Sequence, residues 1–400
     1  MKKRLPILLL PVLLILVAAA GGLSCGKKET AGKPPSTSPP ASTPAPGEGT
    51  NTTGLPLTMA PGVSISTYAT DLGGPRVIAW DPNGVMLVSI PSRGLVVALP
   101  DRDNNGVADG VAEVVGGLNG PHGIAFSAAL PGKIYIAEED AVAVYDYDAT
   151  NLKAVNRRKI IDLPSGGAHV TRTIMFLPPP NDTQLLISVG SSVNAGPDGP
   201  LRAKILVANA DGSGLRDYAV GLRNSVFMAF FPPTKGVWAT EMGRDNLGDN
   251  TPPDEVNIIE DGHNYGWPYF YGKNVRDDTV SGSARLDPAA MTPSHIDLQA
   301  HSAPLGLDFF SPDEKAPGYA NNLLIAYHGS WNRSVPTGYK VVRFRLDEKG
   351  NVVGSGDLVA GWLQPDGSVL GRPAGLSIRD GVVYVSDDRA GVIYRITLKD

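Results

Sequence analysis

The sequence predicts an all-β fold, a six-bladed β-propeller, preceded by a signal peptide and a disordered linker. Three observations lead there. From Leu55 onward, Gly and Pro punctuate short runs rich in Val, Ile, Leu and aromatic residues, and no segment sustains a helical period. One unit then recurs six times at intervals of about 45–80 residues, the range of propeller repeats. Radial closure also protects the edges that so many antiparallel strands would otherwise expose.

The chain begins with Lys2, Lys3 and Arg4, followed by an apolar run from Leu5 to Ala20. That is a signal-peptide pattern, too short and too poorly flanked for a spanning helix. Ser24 precedes Cys25, the one cysteine of the chain, much as in a bacterial lipobox, although Gly22 stands where Leu is usual. The expectation is residues 1–25 as a lipoprotein signal peptide with Cys25 lipidated; ordinary secretion or a retained anchor is the alternative. Gly26 lacks the acidic character of an inner-membrane retention signal, so the expected location is extracytoplasmic and anchored to the outer membrane. Residues 26–55 are Lys, Pro, Ser, Thr and Gly with almost nothing apolar, a composition that cannot offset its chain entropy by burial. They read as a tether, or as a leader without a role. A single cysteine excludes an internal disulfide framework and a Cys-rich metal site.

Residues 56–400 then form one domain. Each repeat carries a Pro, Arg or His, an apolar strand, a Gly/Pro/Asn turn, and a second apolar strand. The six copies start at Arg76, His122, Arg172, Arg223, Ala303 and Arg372, and their second strands end at Ser89, Glu138, Gly190, Glu241, Tyr327 and Ser386. In a propeller the first strand of each blade lines the axis, so residues at its start meet at one mouth. Arg76, His122, His169 with Arg172, Arg223, His301 and Arg372 should therefore converge as a ring of cations and imidazoles. The formal net charge is −5, and without Lys2, Lys3 and Arg4 it becomes −8. That balance excludes broad nucleic-acid binding. A cationic ring on an acidic protein suits a small, multiply anionic ligand. Capping of turns by the same residues is the plainer alternative.

Several segments carry a more specific likeness. They are Gly166 to Arg172 (GGAHVTR), Gly221 to Asn224 (GLRN), Thr240 to Arg244 (TEMGR), Asp254 to Asn257 (DEVN), Gly262 to Pro268 (GHNYGWP), His301 to Gly306 (HSAPLG), His328 to Arg333 (HGSWNR) and Gly371 to Pro373 (GRP). In this order they resemble the PQQ-dependent glucose/sorbosone dehydrogenase family of soluble quinoproteins, especially its sorbosone-dehydrogenase-like branch. The resemblance implies a six-bladed propeller and two cofactors, pyrroloquinoline quinone (PQQ), a tricarboxylate, and Ca2+, which polarises the quinone. It implies oxidation of an aldose or keto-aldehyde sugar, with electrons passing to an extracytoplasmic quinone or cytochrome.

By the same resemblance His169 is the general base, an imidazole being suited to that task near neutral pH. Ala168 departs from members with an acid there. Arg223 and Asn224 match a PQQ-contacting pair, with Arg223 also stabilising charge on the reduced quinone. Arg333 and Arg372 match cationic PQQ ligands; Arg76, Arg172 and His301 are candidates from the ring alone, with surface ion pairs as the alternative for the two arginines. Gly243 and Arg244 fall where two backbone carbonyls bind Ca2+, and Arg244 departs from a usual Pro. Asp254, Glu255 and Tyr265 resemble a nearby structural calcium site.

Independently of the family, Asp101, Asp103, Asn105 and Asp109, with Gly106 sixth, are spaced like the start of an EF-hand loop, but Ala112 occupies its twelfth position. The segment reads either as a structural Ca2+ loop or as a metal-free hairpin. Residues 269–300, with Tyr269, Phe270 and Tyr271, read as a sugar platform together with Trp331 and Trp362, or as a surface insertion. A metal-dependent propeller lactonase and a non-enzymatic binding module are the competing functions. The first needs carboxylates and Asn side chains converging on a channel metal, where the predicted ring offers Arg and His.

Overall fold

A computed structural model describes residues 49–399. Cys25 and most of the proposed leader and tether lie outside them. The fold is a six-bladed propeller. Blade 1 runs Ile78–Trp80, Met86–Ile90, Leu95–Leu99 and Ala112–Val115, from the axis outward. Blade 2 is Ile124–Ala125, Lys133–Ala137, Ala141–Asp148 and Lys153–Asp162. Blade 3 is Arg172–Phe176, Gln184–Val189, Lys204–Asn209 and Arg216–Val220. Blade 4 is Met228–Phe230, Val237–Glu241, Asp254–Ile259 and Ile296–Leu298. Blade 5 is Pro304–Phe309, Leu323–Tyr327, Lys340–Leu346 and Val352–Ala360. Blade 6 is Pro373–Arg379, Val382–Asp387 and Val392–Leu398, completed on the outside by Val63–Ala69 from the start of the chain.

The ring is thus closed without a covalent bond. Val63 pairs with Leu398 and Ala69 with Ile393, antiparallel. Just before this clasp, Thr58–Met59 adds a fifth strand to blade 5. Backbone pairing begins still earlier, with Ile65 donating to Thr50 and Thr52 donating to Ile65. The folded unit therefore starts before the boundary at residue 56 expected from composition.

Second strands lie between two blades and are covered on both faces, so they read as unbroken apolar runs; Met86–Ile90 and Leu323–Tyr327 are buried at every position. The outer strand Lys153–Asp162 is mostly exposed and correspondingly charged. First strands touch at the junctions of blades 1 and 2, 2 and 3, 4 and 5, 5 and 6, and 6 and 1, and the recurrent Pro-x-Gly explains how closely. A Cβ on Gly123 would lie 2.7 Å from Ile174 N, on Gly306 2.5 Å from Leu376 N, and on Gly375 2.0 Å from Arg76 O. Gly375 sits where blade 6 meets blade 1. Gly375→Ala should destabilise the fold by about 1–3 kcal/mol or more through overpacking against backbone, read as a lower urea midpoint.

The segment 269–300, read from sequence as irregular, carries a hairpin, Phe270–Tyr271 with Val275–Arg276, and two 3-10 turns before supplying the fourth strand of blade 4.

Candidate active site

A cavity of about 310 Å3 opens at one mouth of the axis, lined by residues of blades 3, 4 and 5, among them His169, Arg223, Asp254, His301 and Trp331. Four of these were expected from the ring, the family likeness or both, and Trp331 from the proposed platform. His169, Arg223 and His301 precede the inner strands of blades 3, 4 and 5, Asp254 begins the third strand of blade 4, and Trp331 follows the second strand of blade 5.

His169 sits in the exposed segment before blade 3. Its Nδ1 lies 2.8 Å from Ser191 O and 3.1 Å from Ser191 Oγ. That hydroxyl donates to Val193 O, so it can only accept from the imidazole. Nδ1 therefore carries the proton and Nε2 keeps its lone pair, the tautomer a base requires. Burial, and next the charge of Arg223, lower its pKa to about 4.

Arg223 spans the floor. Its Nε donates to Asn194 O at 3.0 Å, Nη1 to Gly243 O at 3.0 Å, and Nη2 to Asn194 Oδ1 and Asp245 Oδ2, both at 2.9 Å. Asp245 also accepts from Asn332 Nδ2 at 2.6 Å, and Asn332 donates to His301 Nδ1 at 3.2 Å. His301 Nε2 faces Gly248 O at 2.8 Å, which makes it the donor nitrogen. Asp254 is held by Gly243 N and Ala303 N, both at 2.9 Å, and burial raises its pKa to about 6. Carboxylates and amides thus converge here after all, but as partners of Arg223 and of backbone amides.

The remaining candidates divide. Asn224 is buried beside Arg223, with Nδ2 against Met242 Sδ, and does not line the cavity. Arg372 donates to His328 O and Gly329 O and stacks on Tyr339, shaping the segment that carries Trp331. Arg333 binds the carbonyls of Asp249, Ala300 and Val335. Arg76 pairs with Asp388 at 2.6 Å, and Asp388 also holds His328 at 2.9 Å. His122 is not at the mouth: it is fully buried on the axis, against Thr173 and Phe227 of blades 3 and 4, and burial drives its pKa well down. Arg172 is also fully buried, and its guanidinium turns to loop carbonyls and away from the cavity.

The calcium candidates fare differently. Gly243 O is taken by Arg223, and the Arg244 side chain turns to the buried Asp277 at 2.7 Å and to Thr279. Asp254 and Glu255 are adjacent on one strand and face opposite sides, so they do not form one ligand set. Glu255 instead pairs across the sheet with Glu241, and both line a small cavity with Tyr265 and Tyr271. The Tyr265 hydroxyl accepts from Glu260 N and donates to Ile258 O. In the 101–109 loop, Asp101 accepts from Asn105 N and Gly106 N, Asp103 from Asn105 N, and Asp109 from Arg102 N; Asn105 Oδ1 accepts from Val107 N. Its oxygens serve its own backbone. Among the described residues no cluster of three or more His, Cys, Asp or Glu side chains is arranged for a metal. Trp362 is fully buried against Tyr394, and Phe270 and Tyr271 border the Glu241–Glu255 cavity, so Trp331, 73% exposed, is the aromatic platform residue that reaches the mouth.

Asn194, Asp245, Asn332 and Arg202 were not evident from sequence. Asp245 and Asn332 adjoin Arg244 and Arg333, and that adjacency was the available signal.

A sequence profile of the TrAA12-like family matches residues 57–274 and 276–399. The chain belongs to the TrAA12-like family. This TrAA12-like chain is 36% identical over 218 residues to an uncharacterized protein of Borreliella burgdorferi, a match covering 54% of the chain and 57% of that protein's length. It is 27% identical over 325 residues to a pyrroloquinoline quinone-dependent sugar dehydrogenase of Hypocrea jecorina, covering 68% and 73%. In fold it is similar to a Trichoderma reesei Carbohydrate-Active Enzymes Family AA12 structure, with TM-score 0.74 at 23% identity over 86% of this chain and 98% of the other. The holo pyranose dehydrogenase PQQ domain of Coprinopsis cinerea gives 0.72 at 24%, over 87% and 99%.

Proposed function

We propose that the protein is a PQQ-dependent dehydrogenase that oxidises an aldose or keto-aldehyde sugar of the glucose/sorbosone type. The observation that carries this reading is the neutral His169, its Nε2 lone pair available beside a buried arginine floor in a cavity rimmed by an exposed tryptophan. Relatives named pyrroloquinoline quinone-dependent sugar dehydrogenase and pyrroloquinoline quinone-dependent pyranose dehydrogenase support it.

A tricarboxylate fits the charges present. Arg333 and Arg372 have no carboxylate within ion-pair distance among the described residues, so these two guanidiniums carry positive charge not offset by side chains. Arg372 and Arg333, bound only to neutral oxygens, would hold its carboxylates, with Arg223 beneath it. PQQ, when bound, supplies the quinone that accepts hydride. His169 Nε2 removes the hydroxyl proton of the sugar, and Ser191 O holds the imidazolium that forms through Nδ1–H. Arg223 lies ready to stabilise negative charge that develops above it. Trp331 offers a face for a sugar ring.

For calcium, Glu241 and Glu255 are the hard-oxygen pair present, opposed across two strands and buried, with oxygens that now accept from Asn224 N, Ser225 Oγ, Gly272 N and Asn257 Nδ2. Burial raises Glu241 to about 8, with Glu255 adding, and Glu255 to about 7, with Asp297 and Asp254 adding. A divalent cation between them would remove that cost. Export and lipidation at Cys25, supported by the basic-apolar-cysteine leader and the polar tether, complete the reading, with an extracytoplasmic quinone or cytochrome as the proposed electron acceptor.

The test is reconstitution of purified apoprotein with PQQ and Ca2+, followed by dye reduction with a panel of sugars. PQQ retention with sugar-dependent turnover supports the reading. No PQQ uptake, or lactone opening without PQQ, overturns it. In the same assay Trp331→Ala should raise KM about tenfold, the loss of about 1.4 kcal/mol of stacking, with kcat within twofold.

A further inference from the structure

The segment bearing His169 is poorly suited to hold a catalytic group. Residues 165–168 are exposed, and Gly166 and Gly167 take φ of +71° and +87°, backbone that glycine enters freely. The segment's own amides supply two further ties, Gly166 N to Glu139 Oε1 at 2.6 Å and Ala168 N to Ser192 O at 2.9 Å.

Two buried guanidiniums grip it from behind. Arg202, 6% exposed, directs Nη2 at Pro164 O (3.1 Å), Ser165 O (2.7 Å) and Gly166 O (2.7 Å), and Nη1 at His169 O (3.5 Å). Arg172, 0% exposed, directs Nη1 at His169 O (3.0 Å) and Thr171 O (2.9 Å) and Nη2 at Pro164 O (2.6 Å). The carbonyls of Pro164 and His169 each receive both arginines. Neither guanidinium has a carboxylate within ion-pair distance among the described residues. Two like charges are therefore desolvated together for the sake of carbonyls alone, an arrangement costly enough to need a return. Burial and the neighbouring Arg202 lower the Arg172 pKa to about 10.

We propose that Arg202 and Arg172 are positioning residues: by clamping the carbonyls of residues 164–171 they fix the His169 imidazole so that Nε2 faces the cavity. The inference rests on His169 being the base. It assigns to Arg202 a part in turnover although its side chain is turned to the loop backbone.

The experiment compares PQQ- and Ca2+-reconstituted wild type, Arg202→Met and Arg202→Lys, with His169→Gln as the reference. Four readouts are taken: the urea midpoint, hydrogen exchange of amides 165–170, kcat and KM for the best sugar, and the pH profile of kcat/KM. Arg202→Met should speed exchange of the segment at least tenfold and lower kcat about 10- to 100-fold with KM within threefold. Its acid limb should move upward, since His169 is faced by Arg223, Arg172 and Arg202, with Asp245, Asp254 and His301 across the cavity. Arg202→Lys keeps the charge but offers a single donor nitrogen in place of the planar fork, so it should restore the acid limb but only part of kcat; this variant also serves if the Met variant fails to fold.

Faster exchange with unchanged kcat and pH profile makes the clamp merely structural and overturns the proposal. Unchanged exchange and unchanged kcat overturn it too. If His169→Gln turns over sugar as wild type does, the assignment of the base fails, and that result is distinct from either outcome at Arg202.

Discussion

His169→Gln should lower kcat about 100- to 10,000-fold, the usual worth of a positioned general base, while leaving PQQ uptake within a few-fold of wild type. The amide of Gln reaches the place of Nε2 but has no basic nitrogen, so it cannot take the proton. The wild-type pH dependence gives the companion result. His169 is lowered to about 4 by burial and by Arg223. Below that pH the imidazole is protonated and cannot act; above it the base is free. The acid limb of kcat/KM should therefore turn near pH 4, with no loss on the acid side at pH 6, where an ordinary histidine would already be mostly charged. A limb near 6.5 would show that the imidazole is not enclosed as described. Stopped-flow single turnovers with dye in excess separate this proton step from product release.

Arg223→Met should destabilise the protein by about 1–3 kcal/mol, because it removes the cationic partner of the partly buried Asp245 and leaves it Asn332 as side-chain donor. The Arg223 side chain is 6% exposed and that of Asp245 19%, so water does little to compensate either. Asn194 O, Asn194 Oδ1 and Gly243 O would lose the same donor. The loss is measured as a lower urea midpoint of the apoprotein at unchanged slope. Arg223→Met with Asp245→Asn should recover a good part of it, since the stranded charge is then gone, but without recovering turnover. A single variant as stable as wild type would mean that the Arg223–Asp245 pair carries no stability.

The blades were legible in the sequence because propeller strands are short, both faces of the second strand are covered, and Pro-x-Gly recurs where inner strands crowd together. His169, Arg223 and His301 were legible because each stands beside an inner-strand start, whose position a repeat count fixes. What the sequence did not carry was direction. Arg172 occupies the expected place, but its guanidinium follows the carbonyls of residues 164–171, since those oxygens need donors and the cavity already has Arg223. His122 starts an inner strand as counted, yet its ring reaches the axis and packs on Phe227. Asp254 and Glu255 read as one acidic pair until strand alternation sends them to opposite faces, and Glu241, fourteen residues away, becomes the true neighbour of Glu255. The oxygen-rich loop at 101–109 has the spacing of a calcium turn, but the same spacing lets side chains cap their own backbone, as they do here.

The clasp of blade 6 has one more consequence. Lys399 N donates to Gly62 O at 2.9 Å, so the beginning and end of the wheel lie side by side. A few glycines would splice them, and the gene could then be opened at the exposed turn at 128–132, between the first two strands of blade 2. The permuted polypeptide should assemble the same wheel with its nick moved to another spoke. A pull on the N-terminal side of the chain, by contrast, bears first on the pairing of Thr50 and Thr52 with Ile65, then on Thr58–Met59 and Val63–Ala69, and would unzip the wheel where it is fastened.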